Sequence, residues 1–294
     1  MLIREAIAQG SADLKYAGIK TPGLDAGLLL SHVLKKDRSF LLCAGSEKLS
    51  EKNSAAFCEL IEKRCSGICT AYLTGKKEFR GLEFAVNSSV LVPRPDTETL
   101  VEAALEICRD KRGAADEIKV LDLCTGSGAV AAALKHEMPE LEVYASDISE
   151  EALETAKSNS ARLLGENKIN FFYGDLFGAL EPRHSAHNAP QLKFSLIAAN
   201  PPYIPSDKIE TLSAEVQNEP RIALDGGQSG MEIIKRIIND APLYLEKNGS
   251  LIMEADPDQM ETIKSLLNLK GFNNIKIYND LSGSQRVIGG YYEK

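Results

Sequence analysis

The chain predicts an α/β fold: a mostly parallel sheet with helices on both faces, preceded by a small all-α unit. Three observations carry this prediction. Apolar strand-like runs alternate with amphipathic segments between residues 118 and 254, the pattern of βαβ units. The first run ends in a glycine turn that leads straight into an alanine-rich helix, Ala129 to Leu134. Ahead of these, residues 1 to about 72 keep apolar positions at helical spacing.

The N-terminal helices break at Gly18 to Pro22 and at Leu42 to Ser50. Thr21 before Pro22 predicts a helix start, with Leu24, Leu28, Leu29 and Val33 as one apolar stripe. Phe79 to Val92, rich in β-branched and aromatic residues and punctuated by Gly81 and Asn87-Ser88, predicts a hairpin or extended connector. A helix follows Pro93-Arg94-Pro95, capped by Asp96 or Thr97, with Leu100, Val101, Ala104 and Leu105 facing inward. Sheet strands fall at Ile118 to Leu123, Glu142 to Ser146, Ile169 to Tyr173, Phe194 to Ala199 and Ser250 to Met253. Asn274 to Tyr278 and Arg286 to Tyr292, joined by a turn-rich Asn279 to Ser284, form a closing antiparallel hairpin. Glu181 to Lys193, with two prolines and two histidines, reads as a surface loop. The predicted organisation is a helical unit over 1–75, a connector over 76–95 and an α/β domain over 96–294.

Composition narrows the function. Lys plus Arg number 34 against 42 Asp plus Glu, a formal charge of −8, the wrong sign for a protein whose affinity rests on neutralising many phosphates. No apolar run approaches the ~20 residues that cross a bilayer, so no membrane partner is expected. Six cysteines in a chain without a signal-peptide pattern predict the reducing cytosol. Cys65 and Cys69 lack a second Cys or His pair at ligand spacing, so no metal is expected.

The turn Cys124-Thr125-Gly126-Ser127-Gly128 sits where an open α/β sheet binds its cofactor, and its glycines let the backbone approach a ligand. Asp147, at the end of the second strand, stands where a carboxylate accepts hydrogen bonds from both ribose hydroxyls. Asp175, after the third, is placed to meet an adenine amino group. Two such residues after consecutive strands favour an adenosine-bearing ligand over two solvated turn carboxylates.

The segment Asn200-Pro201-Pro202-Tyr203 follows a fully apolar strand. Its prolines fix φ and remove two N–H donors, leaving an acceptor-rich pocket. The Asn200 side-chain oxygen and the proline carbonyls can hold a planar NH2 group by both hydrogens, with the Tyr203 ring packed on its face. Glu98 either lines this pocket or serves the first turn of its helix.

Four segments together resemble the protein-glutamine N5-methyltransferases that modify peptide chain release factors. They are Asn200-Pro201-Pro202-Tyr203, Asp122-Leu123-x-Thr125-Gly126-Ser127-Gly128, Pro93-Arg94-Pro95-Asp96-Thr97-Glu98, and Glu219-Pro220 with Asp225-Gly226-Gly227 and Gly230. The resemblance spans most of the chain and implies a class I, Rossmann-like methyltransferase sheet with an N-terminal domain that docks the release factor. It implies S-adenosylmethionine as cofactor, bound by Cys124 to Gly128, Asp147, Asp175, Leu176 and Asn200. It further implies a catalytic and substrate-holding role for Asn200 to Tyr203, acting on the glutamine of a Gly-Gly-Gln loop. Three departures stand out: Cys124 where glycine is commoner, Leu176 where some relatives carry Trp, and Glu254-Ala255-Asp256 without the expected glycine. Gly226-Gly227-Gln228 repeats the acceptor tripeptide within this chain and reads as a turn. The rival readings are an adenine-N6 nucleic-acid methyltransferase, a non-catalytic scaffold of the same fold, and a dehydrogenase.

Overall fold

Helix-forming stretches with one buried stripe build the N-terminal part of the computed structural model, which describes residues 1–112, 117–181 and 192–293. Helices α1 (Ile3–Tyr16), α2 (Pro22–Leu34), α3 (Arg38–Cys43), α4 (Glu51–Cys65) and α5 (Thr70–Thr74) enclose a core that includes Ile3, Leu14, Leu29, Leu30, Phe57 and Ile61. Asp37 and Ser50 cap α3 and α4 through their side chains, at 2.7 and 3.2 Å. The stripe predicted for α2 is corrected: Leu24 is exposed, and the buried face carries Asp25, Ala26, Leu29 and Leu30. Asp25 takes a core position because Arg64 of α4 donates to it at 2.8 Å; Arg64 also pairs with Glu215. Glu215 belongs to this unit, which comprises Met1–Lys76 and Leu212–Asn218.

The second unit, Lys77–Thr211 with Glu219–Lys294, holds the sheet. A two-stranded hairpin, β1 (Lys76–Phe79) and β2 (Leu82–Ala85), leads in. It starts before the predicted Phe79 because Arg80 and Gly81, both at positive φ, make the turn. After α6 (Glu98–Lys111) come β3 (Lys119–Leu123), α7 (Ala129–Glu137), β4 (Glu142–Asp147), α8 (Glu150–Leu164), β5 (Ile169–Tyr173) and β6 (Phe194–Ala199). The short α9 (Ala214–Gln217) belongs to the first unit; then follow α10 (Glu232–Tyr244), β7 (Leu245–Glu254), α11 (Met260–Leu269), β8 (Phe272–Asn279) and β9 (Gln285–Tyr292).

The seven strands run in the order β5-β4-β3-β6-β7-β9-β8, parallel except for antiparallel β9 with its two neighbours. Alternation along each strand feeds the two faces. Val120, Leu196 and Ala198 pack with α6 and α7, whereas Leu121, Ile197 and Ala199 pack with α10 and α11. This is an open, mostly parallel α/β sheet with helices on both faces, and the chain carries an N-terminal helical region, as the sequence predicted. Strand β7 begins five residues before the predicted Ser250, with Asn248 at φ 59° absorbing the turn-like sequence Lys247-Asn248-Gly249. The predicted loop at Glu181 to Lys193 lies almost wholly outside the described residues. Among the described residues no helix is long and apolar enough to cross a membrane.

Candidate active site

The carboxyl ends of β3, β4, β5 and β6 open on a cavity of about 500 Å³, within the usual range for small-molecule sites. Its lining belongs entirely to the second unit. Cys124, Thr125, Gly126 and Ser127 line it, as do Asp147, Asp175, Leu176, Asn200 and Pro202. Gly128, Pro201, Tyr203 and Glu98 do not. Gly128 instead meets α8: a Cβ there would come within 3.0 Å of Ala156 Cβ.

The turn after β3 is strained and pinned. Cys124 and Gly126 adopt φ of 59° and 53°, a conformation that favours glycine, so Cys124 carries a local cost there. Burial, with Asp147, Asp122 and Asp175 nearby, raises the Cys124 thiol's pKa and keeps it protonated. Asp122, 1% exposed on β3, accepts from Thr125 Oγ1 at 2.6 Å and from the Ala131 amide at 3.1 Å. It thereby ties the turn to the start of α7.

Burial pushes the Asp122 carboxyl up to about 7, against the pull of those two hydrogen bonds. A carboxyl whose folded pKa is raised holds its proton in the folded state over a range where the unfolded chain has lost it. The stabilisation from that proton is full below the unfolded pKa and is lost as pH rises through about 7. The fall in melting temperature from about pH 5 to about pH 8 is therefore smaller in Asp122→Asn than in the parent, read by calorimetry across that range. Equal slopes in the two proteins would contradict this.

Asp147 is fixed by backbone donors: Gly126 N–H to Oδ2 at 2.8 Å and Ser149 N–H to Oδ1 at 2.9 Å. Burial raises its pKa and these N–H groups counter the rise. Asp175 Oδ2 takes a salt bridge from Arg236 at 2.7 Å, a cavity-lining partner that the sequence reading missed. Leu176, at φ 48° and 8% exposed, supplies an apolar wall. Arg221 and Arg94 also reach the lining, each paired with its own carboxylate, Asp225 and Glu219. Among the described residues no guanidinium pairs with Asp147 or Asp122.

The Asn200 amide nitrogen donates to Thr97 Oγ1 at 3.2 Å. Thr97 stands at the predicted cap position of α6 but makes no side-chain cap: the chain enters the helix through a 3-10 turn at Pro95–Thr97, and the Thr97 hydroxyl meets Asn200 instead. Tyr203 is placed differently from the ring-on-acceptor expectation. Its ring packs on the core and its hydroxyl donates to Glu254 Oε1 at 3.2 Å, and burial raises the phenol's pKa. Gln259 donates to the Tyr203 carbonyl at 2.9 Å. Gly226 backs the segment so closely that a Cβ there would come within 2.7 Å of the Pro202 carbonyl oxygen. The glycines of Gly226-Gly227-Gln228 thus serve close approach, while Gln228 is exposed and does not line the cavity.

Two further buried residues hold the wall contributed by Ser89 to Arg94. Asn159, 0% exposed, clips Ala85 in both directions at 2.8 and 2.9 Å and reaches the Ser127 carbonyl at 3.0 Å. Glu219 accepts from Arg94 at 2.5 Å and from the Val92 amide at 3.3 Å. For Asn159 the sequence offered no signal beyond a polar residue on the inner face of a helix.

This sheet order, with a cofactor-sized cavity at its carboxyl edge, defines an α/β methyltransferase. Residues 5–75 match the PrmC N-terminal domain and residues 105–218 the Methyltransferase small domain. The release factor glutamine methyltransferase of Koribacter versatilis is 36% identical over 292 residues, 99% of this chain and 98% of the relative. That of Vibrio cholerae is 38% identical over 292 residues, 99% and 97% of the two chains. The solved human methyltransferase 10 domain containing protein shares the fold, with TM-score 0.52, 14% identity and coverage of 73% of this chain and 90% of that one. The chain belongs to the release factor glutamine methyltransferase family.

Proposed function

We propose that the chain transfers a methyl group from S-adenosylmethionine to the side-chain amide nitrogen of the glutamine in the Gly-Gly-Gln loop of peptide chain release factors, in the cytoplasm. The observation that carries this reading is Asn200: its side chain lines the cavity at the cofactor edge with the amide nitrogen tied back to Thr97. Full-length kinship with release factor glutamine methyltransferases supports the same acceptor.

The residues present fit the cofactor. Asp147, held by two N–H groups, keeps lone pairs for the ribose hydroxyls. Asp175 and Leu176 line the cavity where they would flank an adenine, and Thr125 to Ser127 would bring backbone close to the ligand. A carboxylate without a guanidinium partner suits a cationic sulfonium and opposes the pyrophosphate of a dinucleotide. Bound there, S-adenosylmethionine supplies an electrophilic methyl group.

Asn200, with the carbonyls around Pro201 and Pro202, accepts both amide hydrogens of the glutamine. The lone pair of an amide nitrogen is delocalised, so polarising its N–H bonds and fixing its plane supply much of the rate. No histidine or lysine among the described residues lines the cavity, consistent with direct transfer and a proton lost afterwards to water. The N-terminal helical unit, residues 1–75, docks the release factor, followed by a connector over 76–95 and the catalytic domain over 96–294.

The test supplies labelled S-adenosylmethionine with purified release factor and DNA as parallel acceptors. Label on the release factor alone is expected. Label on DNA, falling steeply with salt, would transfer the case to the adenine reading.

A further inference from the structure

Stacking on an aromatic ring holds any nucleobase, because every base has a π-face. Among the described residues no aromatic side chain lines this cavity. Leu176 and Ile233 give the lining apolar contact without a ring, so the choice and in-plane orientation of a base fall to polar groups at its edge. Asp175 and Arg236 are such a pair, and both line the cavity.

Ile233 and Arg236 stand three residues apart on α10 and so share a face near its start. Phe177, in the turn after Asp175, stacks on Tyr244 at the far end of α10, with ring centroids 4.5 Å apart and planes 11° apart. That contact holds the helix against the end of β5, where Arg236 meets Asp175 Oδ2 at 2.7 Å. Asp175 Oδ1 accepts no hydrogen bond from the described residues. The two side chains are 48% and 51% exposed. An exposed pair of this kind adds little to the stability of the fold, and its place on the cavity wall gives it a use there.

We propose that Arg236 is a positioning residue that makes the cofactor site selective for adenine over a 6-oxo purine. By holding Oδ2, the planar guanidinium fixes the Asp175 carboxylate and leaves Oδ1 to accept from an exocyclic amino group. Adenine offers an N–H at that position. Hypoxanthine offers a carbonyl oxygen, and two acceptors repel. A carboxylate free to swing away would escape that repulsion, whereas one anchored by Arg236 cannot. Selectivity therefore depends on the anchor as well as on the carboxylate. The inference rests on the reading that the adenosine end of S-adenosylmethionine lies against Asp175 and Leu176.

Calorimetry with S-adenosylhomocysteine, the product left after methyl transfer, and with its counterpart S-inosylhomocysteine reads this without turnover. The parent binds the adenine form at least about tenfold more tightly, the cost of facing one acceptor with another. In Arg236→Met, which keeps the length and loses the charge, the adenine form weakens about 3- to 10-fold, and the inosine form changes less than about twofold. Arg236→Lys, a point charge without the planar fork, falls between parent and Met. Asp175→Ala loses the preference too, and adding Arg236→Met to it changes nothing further, because Arg236 acts through Asp175.

An undiminished preference in Arg236→Met overturns the proposal. So does an equal loss for both ligands, which would make Arg236 a general contact, or a further loss in the double variant. A parent that binds both ligands alike also overturns it, while the cofactor reading stands. A parent that binds neither ligand overturns the cofactor reading itself.

Discussion

Asn200→Ala lowers methyl transfer to the release factor by about 100- to 1000-fold, the range found when one preorganised polar partner of a reacting group is removed. The loss falls on kcat, because the proposed role of Asn200 is to align and polarise the acceptor nitrogen, while most of the cavity, Thr125 to Ser127, Asp147 and Leu176, is unchanged. Calorimetry is expected to show cofactor affinity within a few-fold of the parent. A variant that binds cofactor and release factor normally and transfers at the parent rate would show that Asn200 is structural and contradict its role in holding the acceptor.

Arg64→Ala destabilises the helical unit by about 3–5 kcal/mol, the cost of breaking a buried ion pair from one side. The guanidinium is 3% exposed and Asp25 is 7% exposed at the side chain, so the carboxylate left behind has little access to water. Among the described residues, the 2.9 Å hydrogen bond from Thr21 is what remains to it. Denaturant unfolding followed by far-UV circular dichroism reads the effect. Cofactor affinity is expected to survive under native conditions, since no residue of the helical unit lines the cavity. An unchanged unfolding midpoint would show that water compensates Asp25.

The sheet was legible because its signals are local. Val120 to Leu123 and Phe194 to Ala199 are apolar over a strand's length, and Gly126 and Gly128 mark where the first crossover begins. Two of the carboxylates that line the cavity, Asp147 and Asp175, were legible for the same reason: a carboxylate at the end of a parallel strand lies at the open edge wherever the sheet sits. What escaped depends on distant pairings. Asp25 is buried because of Arg64, 39 residues on, and Arg64 also pairs with Glu215, a further 151 residues on. On a helical wheel Asp25 reads as solvent-facing, which misplaced the α2 stripe. Glu254 reads as a strand-end carboxylate, and only the β6–β7 register reveals it beside Asn200 and under Tyr203. The Tyr203 ring turns inward because its hydroxyl finds that buried acceptor, a preference that no neighbouring residue announces.

The most direct measurement is transfer of labelled methyl to purified release factor, run beside the same factor with its Gly-Gly-Gln glutamine changed to glutamate. Label on the parent factor and none on the glutamate form is the predicted result, because only an amide offers a nitrogen and two donors to Asn200. Equal labelling of both forms would place the methyl group elsewhere and contradict the glutamine assignment.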